Sequence, residues 1–274
     1  MTGSVDEAEQ LAPAEKIMAR TDRPGVGIAL MLVATFIFAS QDAMTKILSQ
    51  SLEVPQILMV RYLLVLVYAL FFFRFNKKPI KRCLESHRPY IQVLRSVIIA
   101  VEIGIFVVAI RHLSMSEIHS LMATFPLMVT ALSVPFLGEV VGLRRWSAVG
   151  VGFLGVLIIL RPGLGVFDWS AVLALICAFL FALYHVLTRL VSRDDKGDTS
   201  FFYMALVGAV MFTILGPFFW RMPSPVEWGL LVAVALTASV SHMLLIKALE
   251  SAPASVLQPF NYMLLVWATL IGFV

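Results

Sequence analysis

The sequence predicts an all-α, polytopic membrane protein built as an inverted repeat, and three observations carry that prediction. Nine apolar runs of about twenty residues are long enough, at 1.5 Å per residue, to cross a ~30 Å hydrocarbon layer as helices. Lysine and arginine crowd the connections on one side of those runs. The first and second halves of the chain share residues at a fixed offset. Composition agrees: 60% of residues are hydrophobic and 14% charged, whereas soluble chains run at ~45–50% and ~25%. A soluble fold is excluded.

Residues 1–24 come first, polar, acidic and then basic, without the apolar core of a cleavable signal, and are expected to form a disordered cytoplasmic tail. Helical spans follow at 26–47, 56–75, 90–110, 117–137, 143–160, 170–190, 200–220, 228–248 and 254–273. Pro24, Pro55, Pro89, Pro225 and Pro253 stand at span starts, where the first turn has no carbonyl partner for the missing N–H. With the amino terminus inside, fifteen of the 21 lysines and arginines fall on the cytoplasmic side and four outside, while Arg61 and Arg95 remain within spans. That asymmetry sets the orientation. Trp169, Trp220 and Trp228 then all fall at the outer interface, as an aromatic belt requires.

The repeat is legible within the one chain. An offset of 143 places Leu30, Leu32, Phe36, Phe38, Ala39, Thr45 and Ser49 on identical residues from Leu173 to Ser192, with Lys46 on Arg189 and Asp42 on His185. An offset of 136 places Ile110, Arg111 and Leu113 on Ile246, Lys247 and Leu249. Matched spans lie an odd number of crossings apart, so the halves are inverted in the membrane. They divide the chain at 25–163 and 164–274. Span five lacks a counterpart before Val274, which leads to the expectation of a tenth span in a longer chain.

Pro126, Leu137-Gly138-Glu139, Arg144-Arg145-Trp146, Gly150, Gly155 and Arg161-Pro162-Gly163 together resemble the signature of EamA-type transporters in the drug/metabolite transporter superfamily. The resemblance runs over nearly the whole chain. It implies ten helices in two inverted five-helix halves, a place in a bacterial inner membrane, and alternating-access transport of a small polar organic metabolite. Uptake of a vitamin or nucleotide-like cofactor, of the riboflavin or S-adenosylmethionine type, is the alternative within the family. A receptor or scaffold without transport, or an intramembrane enzyme, is a different class of reading. The family also implies that span five serves packing and assembly, which permits a homodimer.

Ionisable residues at membrane depth are the most informative, because each costs on the order of 2.5 kcal/mol or more at a helix centre unless it pairs or lines a cavity. Asp42, Arg61, Arg95 and Glu102 are four such residues with no net charge. Arg61 and Glu102 lie at compatible depths and are expected to pair, as scaffold or as a substrate and proton site. Arg95, nearer the cytoplasmic end, is expected to snorkel to the surface. His185 and His242 offer imidazoles that exchange protons near neutrality or simply pack. Gln41, Gln258 and Asn261 add neutral hydrogen-bonding groups. Pro126 and Pro259 each free a carbonyl, which marks either a packing kink or a cavity wall. Glu117 and His119 open span four at its outer edge, where capping accounts for Glu117.

Other motifs lead away from catalysis. Gly150, Gly152 and Gly155 spell G-x-G-x-x-G, but with no strand before them they read as a close helix contact rather than a dinucleotide loop. Cys83 and Cys177 have no metal-ligand spacing and lie at different depths. No H-E-x-x-H, G-x-S-x-G or Walker loop is present. Scattered basic residues without interleaved aromatics give no nucleic-acid footprint. The expected partners are a small-molecule substrate and the lipid bilayer, with no cofactor and no metal.

Overall fold

A computed structural model describes residues 23–75, 84–143, 146–147, 150–151 and 169–272. The tail, Cys83, Arg144, Arg145, Arg161-Pro162-Gly163 and most of the predicted span 143–160 lie outside that set. Among the described residues all regular structure is helical: α1 (Pro24–Ser49), α2 (Val54–Phe75), α3 (Pro89–His112), α4 (Met115–Met122), α5 (Phe125–Leu137), α6 (Trp169–Val191), α7 (Gly197–Leu215), α8 (Pro225–Ser251), α9 (Ala254–Asn261) and α10 (Met263–Gly272). A 3-10 turn, Gly216–Phe219, extends α7. Eight stretches among them, with α4–α5 and α9–α10 each taken as one, are long and apolar enough to cross a membrane.

Boundaries follow local chemistry. Pro24, Pro89 and Pro225 occupy the first turns of α1, α3 and α8. Ser114 and Ser224 each form a reciprocal capping box with the glutamate three residues on, Glu117 and Glu227. Such boxes satisfy two amide donors that a helix start leaves open. Glu117 is therefore a cap, as its position predicts. Spans four and nine are both broken, at Ala123–Thr124 and at Tyr262. Pro126 lies just past the first break and lacks the N–H that would have reached the Met122 carbonyl. Pro259 sits inside α9, upstream of the second.

Packing carries the signature of an exchanged repeat. The tightest pairs are α1 with α8 and α3 with α6, each joining one half to the other, and α2 packs on α7. Swapping the halves turns α1–α8 into α6–α3, and α2–α7 into itself. The broken spans obey the same rule, with α5 against α9 and α4 against α10. Small residues allow these approaches. A Cβ at Gly27 would stand 2.9 Å from that of Ala252, and one at Gly208 would collide with the Tyr62 ring.

Polar cross-links repeat too. The Lys46 ammonium donates to the Leu113 carbonyl (3.0 Å), closing the end of α3, and the Arg189 guanidinium donates to the Leu249 carbonyl (3.0 Å), closing the end of α8. Ser49 donates to the Lys46 carbonyl and Ser192 to that of Arg189, both at 2.8 Å. The sequence coincidences at these positions thus have one physical cause, a cation that satisfies orphan carbonyls at a helix end.

Arg95 corrects the expectation of snorkelling. Its side chain is fully buried, donating to Gln92 Oε1 (2.7 Å), to Thr188 Oγ1 (3.0 Å) and to the Ser200 carbonyl, with its charge 5.3 Å from the Tyr184 ring centre. Gln92 passes the connection on to Asp195 Oδ2 (2.9 Å), which also accepts from Ser86. Protein acceptors on α3, α6 and α7 take the place of water at the membrane surface.

Candidate functional site

Helices of both halves line a partly open cavity. Its polar wall is made by Gln41 and Asp42 of α1, Arg61 of α2, Glu102 of α3, His119 of α4 and His242 of α8. Rings of Phe38, Phe106 and Phe181 supply much of the remainder. Every one of the polar residues is buried. They converge because each sits on the inward stripe of its helix: Ala34, Gln41, Asp42 and Thr45 of α1 are buried together, as are Ile57, Leu58, Arg61 and Val65 of α2.

Charges in the cavity are neighbours without being locked together. Among the described residues no ion pair within 4 Å joins Arg61 to Asp42 or Glu102, so the expected Arg61–Glu102 pair is corrected to two groups facing one cavity from α2 and α3. The guanidinium lies 5.8 Å from the Tyr62 ring centre, and Tyr62 stacks on Phe212. Asp42 instead meets His119, with Oδ2 3.5 Å from Nε2. At that distance the two groups are polar neighbours without the alignment of a hydrogen bond, and Nε2 keeps no other partner. His242 holds its orientation through Nδ1, 3.1 Å from the Ala238 carbonyl, and through an edge contact with Phe38. Gln41 Oε1 is likewise without a protein partner.

Sequence-predicted residues divide into three groups. Gln41, Asp42, Arg61, Glu102 and His242 share the main cavity. Pro126 and Asn261 line a smaller one between the breaks of spans four and nine. Pro259 is solvent- or lipid-exposed and Gln258 bonds within α9, to the Ala254 carbonyl at 2.8 Å and from Asn261 at 3.0 Å, so neither lines either cavity. His185 is enclosed by aromatic rings. His119 was placed at the outer edge by the sequence, yet it is 3% exposed and lines both cavities. The available signal was Ser114: a capping box there moves the helix start outward and carries His119 a full turn into the membrane.

No group of three or more metal-ligating side chains occurs among the described residues. What this arrangement can do is hold a small molecule by stacking and by charge within the membrane.

Residues 25–161 and 168–274 each match the EamA-like transporter family. The chain belongs to that family. It is an integral membrane protein of a small-molecule transporter fold. It is 26% identical to a riboflavin transporter of Vibrio cholerae over 89% of this chain and 83% of that one. An S-adenosylmethionine uptake transporter of Rickettsia felis is 24% identical, with 88% and 81% covered. A pseudopaline exporter of Pseudomonas aeruginosa is 25% identical, with 86% and 82% covered. A solved crystal structure superposes with a TM-score of 0.70 at 13% identity, covering 89% of this chain and 86% of its own, a likeness of fold.

Proposed function

We propose that this EamA-family protein carries a planar, nitrogen-heterocyclic metabolite with a polar side chain across the membrane by alternating access, without catalysis. The observation that carries this reading is the cavity itself, in which three phenylalanine rings stand beside an amide, two imidazoles, two carboxylates and one guanidinium. Aromatic rings favour offset or edge contact with another flat ring, and the polar groups beside them can serve its hydrogen-bonding edge. Riboflavin and S-adenosylmethionine, named for two of the relatives, both contain such a heterocycle. Inverted repeats around a mid-membrane site support exchange of access between the two sides.

The amino terminus is assigned to the cytoplasm on the fifteen-to-four distribution of lysine and arginine. A cysteine replacing Gln50 should then react with a membrane-impermeant maleimide in intact cells, and one replacing Lys196 should not. The reverse pattern would invert the topology.

Purified protein in proteoliposomes, assayed for flux of labelled riboflavin and labelled S-adenosylmethionine in both directions, tests the substrate class. Saturable flux of either supports it. Flux confined to compounds without a heterocycle in a wider metabolite screen would overturn it.

A further inference from the structure

His185 is fully buried, and neither Nδ1 nor Nε2 has a hydrogen-bond partner in the protein. Buried polar groups are ordinarily satisfied, and an imidazole that is not is a poorer occupant of an apolar niche than a phenyl ring. Phe125, Phe181 and Tyr184 pack around it with ring centres 5.5, 4.6 and 6.2 Å away. Two of those rings are walls of cavities. Phe181 lines the main cavity and Phe125 the smaller one. One ring therefore separates His185 from each.

The repeat says what this niche corresponds to. The offset that carries Lys46 to Arg189 carries Phe38 to Phe181, Gln41 to Tyr184, Asp42 to His185 and Arg61 to Met204. At Lys46 and Arg189 the correspondence holds in space, since both make the same bond to equivalent carbonyls. Tyr184 Oη reaches Met204 Sδ at 3.7 Å, joining the images of Gln41 and Arg61. The open cavity around Asp42 thus has an image around His185, built from the second half and packed shut. When inverted halves exchange conformations, the open and closed members of such a pair exchange as well.

We propose that the niche around His185 is a second substrate-binding station, occluded here by Phe125 and Phe181 and opened when the cavity around Asp42 closes. Its ligand is the hydrogen-bonding edge of the small polar organic substrate, which the imidazole can meet as donor at one nitrogen and acceptor at the other. This rests on the transport reading of the main cavity.

Thiol accessibility and flux separate the two ideas. In a background carrying Cys83→Ser and Cys177→Ala, His185→Cys should react with an impermeant maleimide from the side bearing Ser251, and Asp42→Cys from the side bearing Ser49. Phe181→Cys, on the shared wall, should react from both and serves where the His185→Cys protein does not fold. Reaction of these reporters from the Ser49 side alone would overturn the proposal. For flux, His185→Phe should lower transport of riboflavin or S-adenosylmethionine about tenfold while equilibrium binding changes less than about twofold, and His185→Gln should recover much of the loss. Undiminished flux in His185→Phe would also overturn it. If neither compound binds the unaltered protein, the substrate class fails and the accessibility pattern alone decides the station.

Discussion

The carboxylate of Glu139 caps the amide of Ala254. Oε1 accepts from Ala254 N at 3.0 Å and Oε2 from Ser255 N at 3.1 Å, so a residue of the first half satisfies the first turn of α9 in the second. Gly138 makes this reach possible by ending α5 in a left-handed conformation, φ 67°, that turns the chain toward α9. A negative group at a helix start also meets the positive end of its dipole. Glu139→Ala should cost about 1 kcal/mol of stability, in the range of lost helix caps, and Glu139→Gln less, because an acceptor remains. Melting of the detergent-solubilised protein measures both, and equal effects would mean that the charge, not the cap, matters.

Lys46 and Arg189 should behave as equivalent residues. Each closes the end of a helix in its own half, and a hydrogen bond from a charged donor is worth roughly 1.5–3 kcal/mol. Lys46→Met and Arg189→Met are therefore expected to lower stability by similar amounts, with their effects adding in the double variant because the sites lie at opposite ends of the bundle. Lys46→Arg should be tolerated. Strong non-additivity between the two would contradict the independent-cap reading.

Much of the architecture was legible because membrane helices advertise themselves by length and the repeat by polar coincidences. Lys46 and Arg189 stood out since a cation near a helix end has few interchangeable alternatives. The site was only partly legible. The cost of placing charge in lipid singles out Asp42, Arg61 and Glu102 as candidates, but that cost does not say whether a charge will pair or face a cavity, and Arg61 and Glu102 do the latter. Arg95 was misread because depth along a helix is visible in sequence and the surrounding acceptors on α6 and α7 are not. Pro259 shows the converse: a helix-breaking residue type lies on an outward face while its neighbour Asn261 lines a cavity.

Asp195 gives the protein an acid-sensitive joint outside the spans. Burial alone would raise its pKa, but donors from Ser86, Gln92 and both the backbone and ring of His87 outweigh that and hold the carboxyl below its ordinary range. A depressed folded-state value means that the carboxylate contributes stability above the unfolded pKa of about 3.9 and loses it as pH falls through the folded value. The melting temperature of the unaltered protein should exceed that of Asp195→Asn by a constant margin from neutral pH to about 5, and the margin should close below about 4. A margin that grows as pH falls would reverse the assignment.

The charge arithmetic of the cavity yields the sharpest expectation. Two carboxylates, Asp42 and Glu102, share it with one guanidinium, Arg61, and the carboxylates differ in what else they have. Asp42 lies 3.5 Å from His119, whereas the Glu102 carboxylate forms no ion pair or hydrogen bond among the described residues. Removing Arg61 therefore strands Glu102 more than Asp42. Arg61→Met alone should sharply reduce folded protein, since it leaves two buried carboxylates facing one cavity without the guanidinium beside them. Adding Glu102→Gln should restore most of that level, and adding Asp42→Asn should restore less. Neither double variant should regain flux if these groups hold substrate. Quantitative membrane yield read beside proteoliposome flux separates the two effects: equal rescue of yield by both second substitutions would make Arg61 a common counter-ion, and recovery of flux with yield would make all three residues scaffold.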